Sequence, residues 1–184
     1  MVSKMRILLM LCSWLAAFPA LALPSDSEQP VNIEADWAEA DEVRRITIYK
    51  GRVIVIQGTI KITGDVVTFY YNEARELSKL VSVGRPARFH QQVDETGKMQ
   101  RARATRIEYL VPTDTMILLE DATLSEGGDR VSADRIVYDT LNGRLKAEVK
   151  PPAVAKGKDG AKKKPAKPKR RVRITITPDS SKKP

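Results

Sequence analysis

Cysteine and histidine each occur once in the 184 residues, as Cys12 and His90, and aromatic residues make up only 5% of the chain. One histidine builds neither a Ser-His-Asp triad nor a histidine-based metal site. One cysteine, lying in a segment expected to be removed, leaves no disulfide, so the fold must rest on packing and ladder hydrogen bonds. The chain has no CxxC pair and no glycine-rich loop of the phosphate-cradling kind. Paired carboxylates stand at Asp41-Glu42, Asp94-Glu95 and Glu120-Asp121, all at expected turns or strand ends. There such residues are solvated turn formers rather than an acid–base couple. Asp65 and Asp134 read as turn caps in the same way, and His90 as a rim side chain beside Phe89. The expectation is a protein that is not an enzyme, with no metal and no cofactor.

Long apolar runs are scarce as well. Ile7 to Leu15 follows Lys4 and Arg6 and precedes Ala20-Leu21-Ala22, the layout of a cleavable signal peptide over residues 1–22. The run is too short to cross a hydrocarbon core of about 30 Å as a helix. A retained anchor is the rival reading, and Leu11 before Cys12 is too large for a lipobox. With no second run of membrane length, the mature chain is expected to start at Leu23 and to be a soluble, exported protein of a bacterial periplasm. Nucleic acid is then no partner.

The basic excess is local. The whole chain carries 32 Lys+Arg against 23 Asp+Glu, yet residues 23–149 hold 17 basic and 21 acidic residues. Eleven basic residues and one acid, Asp159, fall between Lys150 and Arg173. Within that span "PPAVAKGKDGAKKKPAKP" buries almost nothing, and residues 150–170 are expected to be a disordered basic insertion. In a periplasm its available polyanions are anionic lipid headgroups and phosphorylated glycolipids; a solubilising spacer is the alternative. The alternating "RVRITIT" over 171–177 reads as a last edge strand with Val172, Ile174 and Ile176 on one face, and 178–184 as a disordered tail.

From Val31 to Val149 strand signals recur with no helical period. The candidates are Val31–Trp37, Arg45–Tyr49, Val53–Gln57, Thr59–Thr63, Val66–Tyr71, Leu77–Val83 and Ala87–Gln92. They continue as Ala102–Val111, Thr115–Glu120, Ala122–Glu126, Arg130–Ala133, Arg135–Asp139 and Arg144–Val149. Turn residues separate them, including Lys50-Gly51, Gln57-Gly58, Gly127-Gly128 and Asn142-Gly143, the last suited to a type I′ hairpin. A shift of 69 positions lays "GTIKITGDVVTFY" over "GGDRVSADRIVYD" and pairs Asp65 with Asp134, which points to an internal repeat.

Alternation places a common set of apolar side chains on one interior. It comprises Ile33/Ala35/Trp37, Ile54/Ile56, Ile60/Ile62, Val67/Phe69/Tyr71, Val81/Val83, Ala87/Phe89, Ile107/Tyr109/Val111, Met116/Leu118, Leu124 and Ile136/Tyr138. These side chains either pack on each other, as in a sandwich, or line a greasy interior that is open at its ends.

"VNIEADWAE", "GRVIVIQGTIKITGDVVTFY", "GRPARFHQ", "RATRIEY", "LLEDATL" and "VSADRIVYD" together resemble the LptA/OstA family of periplasmic lipopolysaccharide-transport proteins. The resemblance covers about Pro30 to Val149, plus "KRRVRITITP" near the end. It implies an all-β fold, an open, elongated antiparallel β-jellyroll (OstA-like) with an internal repeat, over residues 23–149. It also implies a carrier that shields the acyl chains of lipopolysaccharide (lipid A) and bridges the inner and outer membranes. Partners implied are an inner-membrane LptC-type component, an outer-membrane LptD-type translocon and further copies in a head-to-tail homo-oligomer. Lipid contacts carried over by position are Val31, Ile33, Phe89, Ile107, Tyr109 and Val111; alternation adds Leu118 and Tyr138. Oligomer edges would be Val31 and Ile33 at one side and Val172, Ile174 and Ile176 at the other. A self-packed periplasmic scaffold and a polyanion-binding exported protein acting through its basic loop are the alternatives. The long insertion before the last strand departs from the family pattern.

Overall fold

The computed structural model describes residues 26–149 and 171–177. Residues 1–25, 150–170 and 178–184, which carry the expected signal peptide, the whole basic insertion and the tail, lie outside the described residues. After a short 3-10 turn at Asp26–Glu28 come ten strands: β1 (Val31–Glu34), β2 (Trp37–Asp41), β3 (Ile46–Gln57), β4 (Ile60–Tyr71) and β5 (Leu77–Gln92). They are followed by β6 (Met99–Leu110), β7 (Thr115–Glu126), β8 (Asp129–Asp139), β9 (Arg144–Glu148) and β10 (Arg173–Thr175). All pairings are antiparallel, in one sheet ordered β1-β3-β4-β5-β6-β7-β8-β10, with β2 also on β3 and β9 also on β8. The all-β expectation holds.

The strands are longer than alternation alone suggests, because several expected turns are bulges. Arg45–Tyr49 and Val53–Gln57 fuse into β3; the register slips between Lys50 and Val53 without reversing the chain. Similar slips interrupt β4 against β5 at Thr63/Val66, β5 against β6 at Val83/Ala87, β6 against β7 at Arg103/Arg106, and β7 against β8 at Leu119/Ala122. They fall side by side and form one crease across the sheet. A bulge bends its strand and raises the local twist, so an aligned row of bulges folds the whole sheet. Small residues line the inner side of the crease: Gly64, Ala87, Ala104 and Ala122, the three alanines fully or almost fully buried. A Cβ on Gly64 would press on the Ser82 hydroxyl and the Val83 carbonyl.

Folding lets one sheet make its own core. Inward side chains from one half (Val55, Ile62, Phe89, Leu124) and from the other (Val67, Phe69, Leu80, Ile107, Met116, Ile136) join a single cluster. Tyr49 and Phe69 meet edge to face at 5.7 Å, a favoured aromatic geometry.

The repeat is written into the backbone. The ranges of β3 and β7 coincide under the 69-residue shift. So do four positions with positive φ: Arg45/Asp114, Gly51/Glu120, Arg52/Asp121 and Gly58/Gly127. The pairing of Val31 with Gln57 recurs as Gln100 with Glu126, and Trp37 with Lys50 as Arg106 with Leu119. β1 and β2 are therefore the two pieces of one β6-like strand, parted at Ala35-Asp36. At the opposite edge β9 and β10 share β8 in the same divided way.

Several face and turn assignments are corrected. Val31–Trp37 is not one strand. Val53 and Val55 point inward, whereas Ile54 and the exposed Ile56 face out, opposite Glu34 and Asn32. On β5 the inward residues are Leu80 and Ser82; Val81 pairs with Thr68 and Glu108 on the outer face, as Val83 does with Arg106. Trp37 is exposed and carries the Lys50 ammonium 4.4 Å from its ring centroid. Asn142-Gly143 is not a type I′ turn: only Gly143 has positive φ, in a four-residue loop whose Asn142 amide is held by Asp139. The last strand shrinks to Arg173–Thr175, and Val172, Ile174 and Ile176 are all exposed.

Candidate functional site: an apolar cavity inside the folded sheet

The core cluster is not filled to the ends. A cavity of about 820 Å³ runs along the inner face, from the β3–β4 and β5–β6 turns at one mouth to the β6–β7 and β8–β9 turns at the other. Its walls are Val55, Ile60, Ile62, Phe69, Leu77, Leu80, Phe89, Ile107 and Met116. Strand alternation aims these side chains inward while their neighbours face water. The size lies in the upper part of the ordinary range for ligand pockets.

The two mouths differ chemically. At the first, Gln57, Gln91, Gln92 and Gln100 border the opening, and Lys98 is ion-paired with Glu126 at 2.5 Å. Asp26 closes one side of it. Its carboxylate accepts from the Thr59 N–H at 2.6 Å, the Thr59 hydroxyl at 2.8 Å and the Gln91 amide at 3.0 Å. This network needs glycine at 58, since a Cβ there would strike the same carboxylate. At the second mouth Tyr109 donates from its hydroxyl to Asp114 at 2.6 Å, beside Val111, Tyr138 and Thr140. Burial, then the adjacent Asp114 carboxylate, pushes the Tyr109 phenol up to about 12, so it stays a neutral donor throughout the physiological range.

Of the residues singled out from the sequence, Val31, Phe89, Ile107, Tyr109, Val111 and Tyr138 line this cavity. Ile33 is half-buried and packs against the core beside it. Leu118 is fully buried within the cluster and does not reach the cavity wall. Sequence reasoning placed Met116 on the interior but missed Val55, Leu77 and Leu80 as lining residues, and the glutamine border. Leu80 was hidden by its more conspicuous neighbours Val81 and Val83. The carboxylate pairs are turn formers: Asp41 accepts from the Arg44 N–H, and Asp94 from the N–H groups of Thr96 and Lys98. Glu120-Asp121 is instead the consecutive left-handed pair of the β7 bulge.

Comparison with known proteins gives this architecture a family. Residues 32–144 match the LptA/(LptD N-terminal domain) LPS transport protein family. The chain belongs to it. Among its relatives is the lipopolysaccharide export system protein LptH of Pseudomonas aeruginosa, 34% identical over 139 residues, which span 76% of this chain and 79% of that one. The Escherichia coli K12 protein LptA is 32% identical over 139 residues, covering 74% and 75%. The crystal structure of LptH, described as the LptA-homologous periplasmic component of the lipopolysaccharide transport device, superposes with a TM-score of 0.69 at 29% identity. That superposition covers 84% of this chain and all of that one. These relatives are lipopolysaccharide export proteins, and the LptH crystal structure shares the architecture of this chain.

Proposed function

We propose that this LptA-family chain is a non-enzymatic, periplasmic carrier that holds the acyl chains of lipopolysaccharide inside its folded sheet and passes them between the inner and outer membranes. The observation that carries the reading is the continuous apolar cavity open at both mouths; a self-packed scaffold would have filled that space with side chains. Each acyl CH₂ taken from water contributes about 0.8 kcal/mol. Handover between like cavities is nearly neutral, so direction must come from an outside energy source. Val31, Phe89, Ile107, Tyr109, Val111 and Tyr138 contact the chains. Ile33 supports that wall, and Leu118 acts through packing.

Head-to-tail assembly of copies is supported by the two edges. Residues 26–43 on the β1/β2 side hold seven acids (Asp26, Glu28, Glu34, Asp36, Glu39, Asp41, Glu42) and no Lys or Arg. The β9/β10 side enters and leaves the basic insertion. Like edges repel and unlike edges attract, which favours strand addition in one sense and blunts edge-to-edge mispairing. An LptC-type component at one membrane and an LptD-type translocon at the other would extend the same sheet. Export follows removal of residues 1–22, and residues 150–170 are a basic insertion ahead of the last strand.

A photoreactive phenylalanine analogue placed at Ile60 or Tyr138 should crosslink to lipopolysaccharide in cells, and one placed at the outward Ile54 should not. Equal labelling at all three positions, or none at the first two, would overturn the cavity assignment.

A further inference from the structure

The outer face of the sheet holds a second feature, independent of the cavity and of the carrier reading. Pairing across the strands sets Lys61, His90, Arg101, Ser125, Arg130 and Thr175 in one row. The next outward row is Thr63, Arg88, Arg103, Thr123, Ser132 and Arg173. Each of these residues alternates with an inward one (Ile62, Phe89, Ala102, Leu124, Val131, Ile174), so both rows point away from the cavity.

The two rows contain six cations and one imidazole, five hydroxyl groups and no acid. Lys61, Arg88, Arg101, Arg103, Arg130 and Arg173 are all exposed. None of the six forms an ion pair among the described residues, although Arg44, Arg45, Arg52, Arg75, Lys98, Arg106, Arg135, Arg144 and Lys146 all do. Asp65, Glu120, Asp121 and Asp134 stand on the crease that borders the rows, and Glu34 lies two strands beyond Thr63 along the second row, across Ile54. His90 registers the resulting field. Partial burial, then Arg101, Lys61 and Arg88, hold its pKa below the usual histidine value, with no acidic neighbour acting the other way.

We propose that this basic strip is a docking surface for an anionic phospholipid bilayer. At about 4.8 Å between strands, the rows cross six strands in roughly 24 Å. They present a two-dimensional lattice of cations and hydroxyls suited to an array of headgroup phosphates. The chain's own basic insertion is excluded as the occupant by charge. The chain re-enters the sheet after it at Arg171 and Arg173, at the end of the strip. A nucleic acid is disfavoured because neither row carries an aromatic side chain on which bases would stack. The acidic β1/β2 edge would be repelled by such a bilayer, which fixes the orientation in which the strip faces it.

The test is co-sedimentation of the mature full-length protein with phosphatidylcholine vesicles, with and without about 30% phosphatidylglycerol, at low ionic strength. Binding is expected only to the anionic vesicles and should disappear at about 0.5 M salt, where the Debye length is only a few ångströms. Arg88→Glu/Arg103→Glu should weaken partitioning at least tenfold, by order of magnitude, with an unchanged β-sheet circular-dichroism spectrum. Lys61→Glu/Arg130→Glu should do the same at the other row. Deleting residues 151–168 should reduce binding without abolishing it, and Ile60→Asp should leave it intact. Equal binding to both vesicle types, wild-type binding by both double variants, or binding to a DNA oligonucleotide with none to vesicles would each overturn the proposal.

Discussion

The two repeats share a backbone and differ in what they carry on it. β1 and β2 occupy the place in the first repeat that β6 occupies in the second, with the same partners at the same register. Yet "VNIEADWAEAD" is acidic and "QRARATRIEYL" is basic. The difference follows exposure. β6 lies between β5 and β7, and its outward arginines belong to a continuous face. β1/β2 pairs on one side only among the described residues, and negative charge at such an edge disfavours pairing with its own kind. The crease shows the same division: Gly51-Arg52 makes the bulge in one repeat and Glu120-Asp121 in the other, in matching left-handed conformations. Geometry is repeated, and chemistry is assigned by position in the sheet.

The comparison can be broken most strongly in the core. Leu118 and Tyr49 are equivalent by repeat, but Leu118 is fully buried whereas Tyr49 is half-buried beside the first edge. Leu118→Ala should lower unfolding stability by about 3 kcal/mol and Tyr49→Ala by roughly half that, read by urea denaturation. Equal losses would show that the repeats are packed alike.

Charge at the edges comes next. Replacing Glu34, Asp36, Glu39 and Asp41 together by Lys should weaken self-association by about tenfold or more, measured by light scattering, as should raising salt to about 0.5 M. Association that is unchanged by either would remove charge from the assembly.

Backbone strain is smaller. Glu120→Gly should stabilise the fold by about 0.5–1 kcal/mol, because a left-handed conformation costs a residue with a side chain. Gly51→Ala should destabilise it by at least about 1 kcal/mol, since the added Cβ would strike the Asp36 carboxylate that pairs with Arg52.

The smallest effect is at His90, whose equivalent opposite Arg130 is Thr175. Its imidazole should titrate below the ordinary histidine value by NMR. Arg101→Glu should raise it, because replacing a cation by an anion favours the protonated ring. No rise would remove Arg101 from the causes of the shift.

How far these features could be read from the chain varied with the local signal. Ile60 and Ile62 sit in clean alternation with Thr59, Lys61 and Thr63, and their inward direction was legible. Val53 to Ile56 carries no alternation, so its inward and outward members were exchanged. Bulges compound the difficulty, because an extra residue can switch which parity faces in. On β4 the inward set passes from Ile60 and Ile62 to Val67 and Phe69, and on β5 from Leu80 and Ser82 to Ala87 and Phe89. Ser82 would not be chosen for a core by hydrophobicity; it is fully buried beside the crease, its hydroxyl donating to the Thr63 carbonyl at 3.3 Å. Cavity lining was legible for aromatic and branched residues and illegible for Leu118, since buried and lipid-facing positions share one alternation.

The amino-acid sequence by itself determined the strand-only character, the 69-residue repeat, the scarcity of histidine and cysteine, and the net basic excess of one insertion. These are local or additive properties of residue type and spacing. Only the tertiary structure decided that five bulges align into one crease, that a single sheet encloses its own cavity, and that six cations with no ion pair among the described residues gather on its back. Each depends on register between strands far apart in the chain, which hydrogen-bond pairing sets and no local pattern encodes.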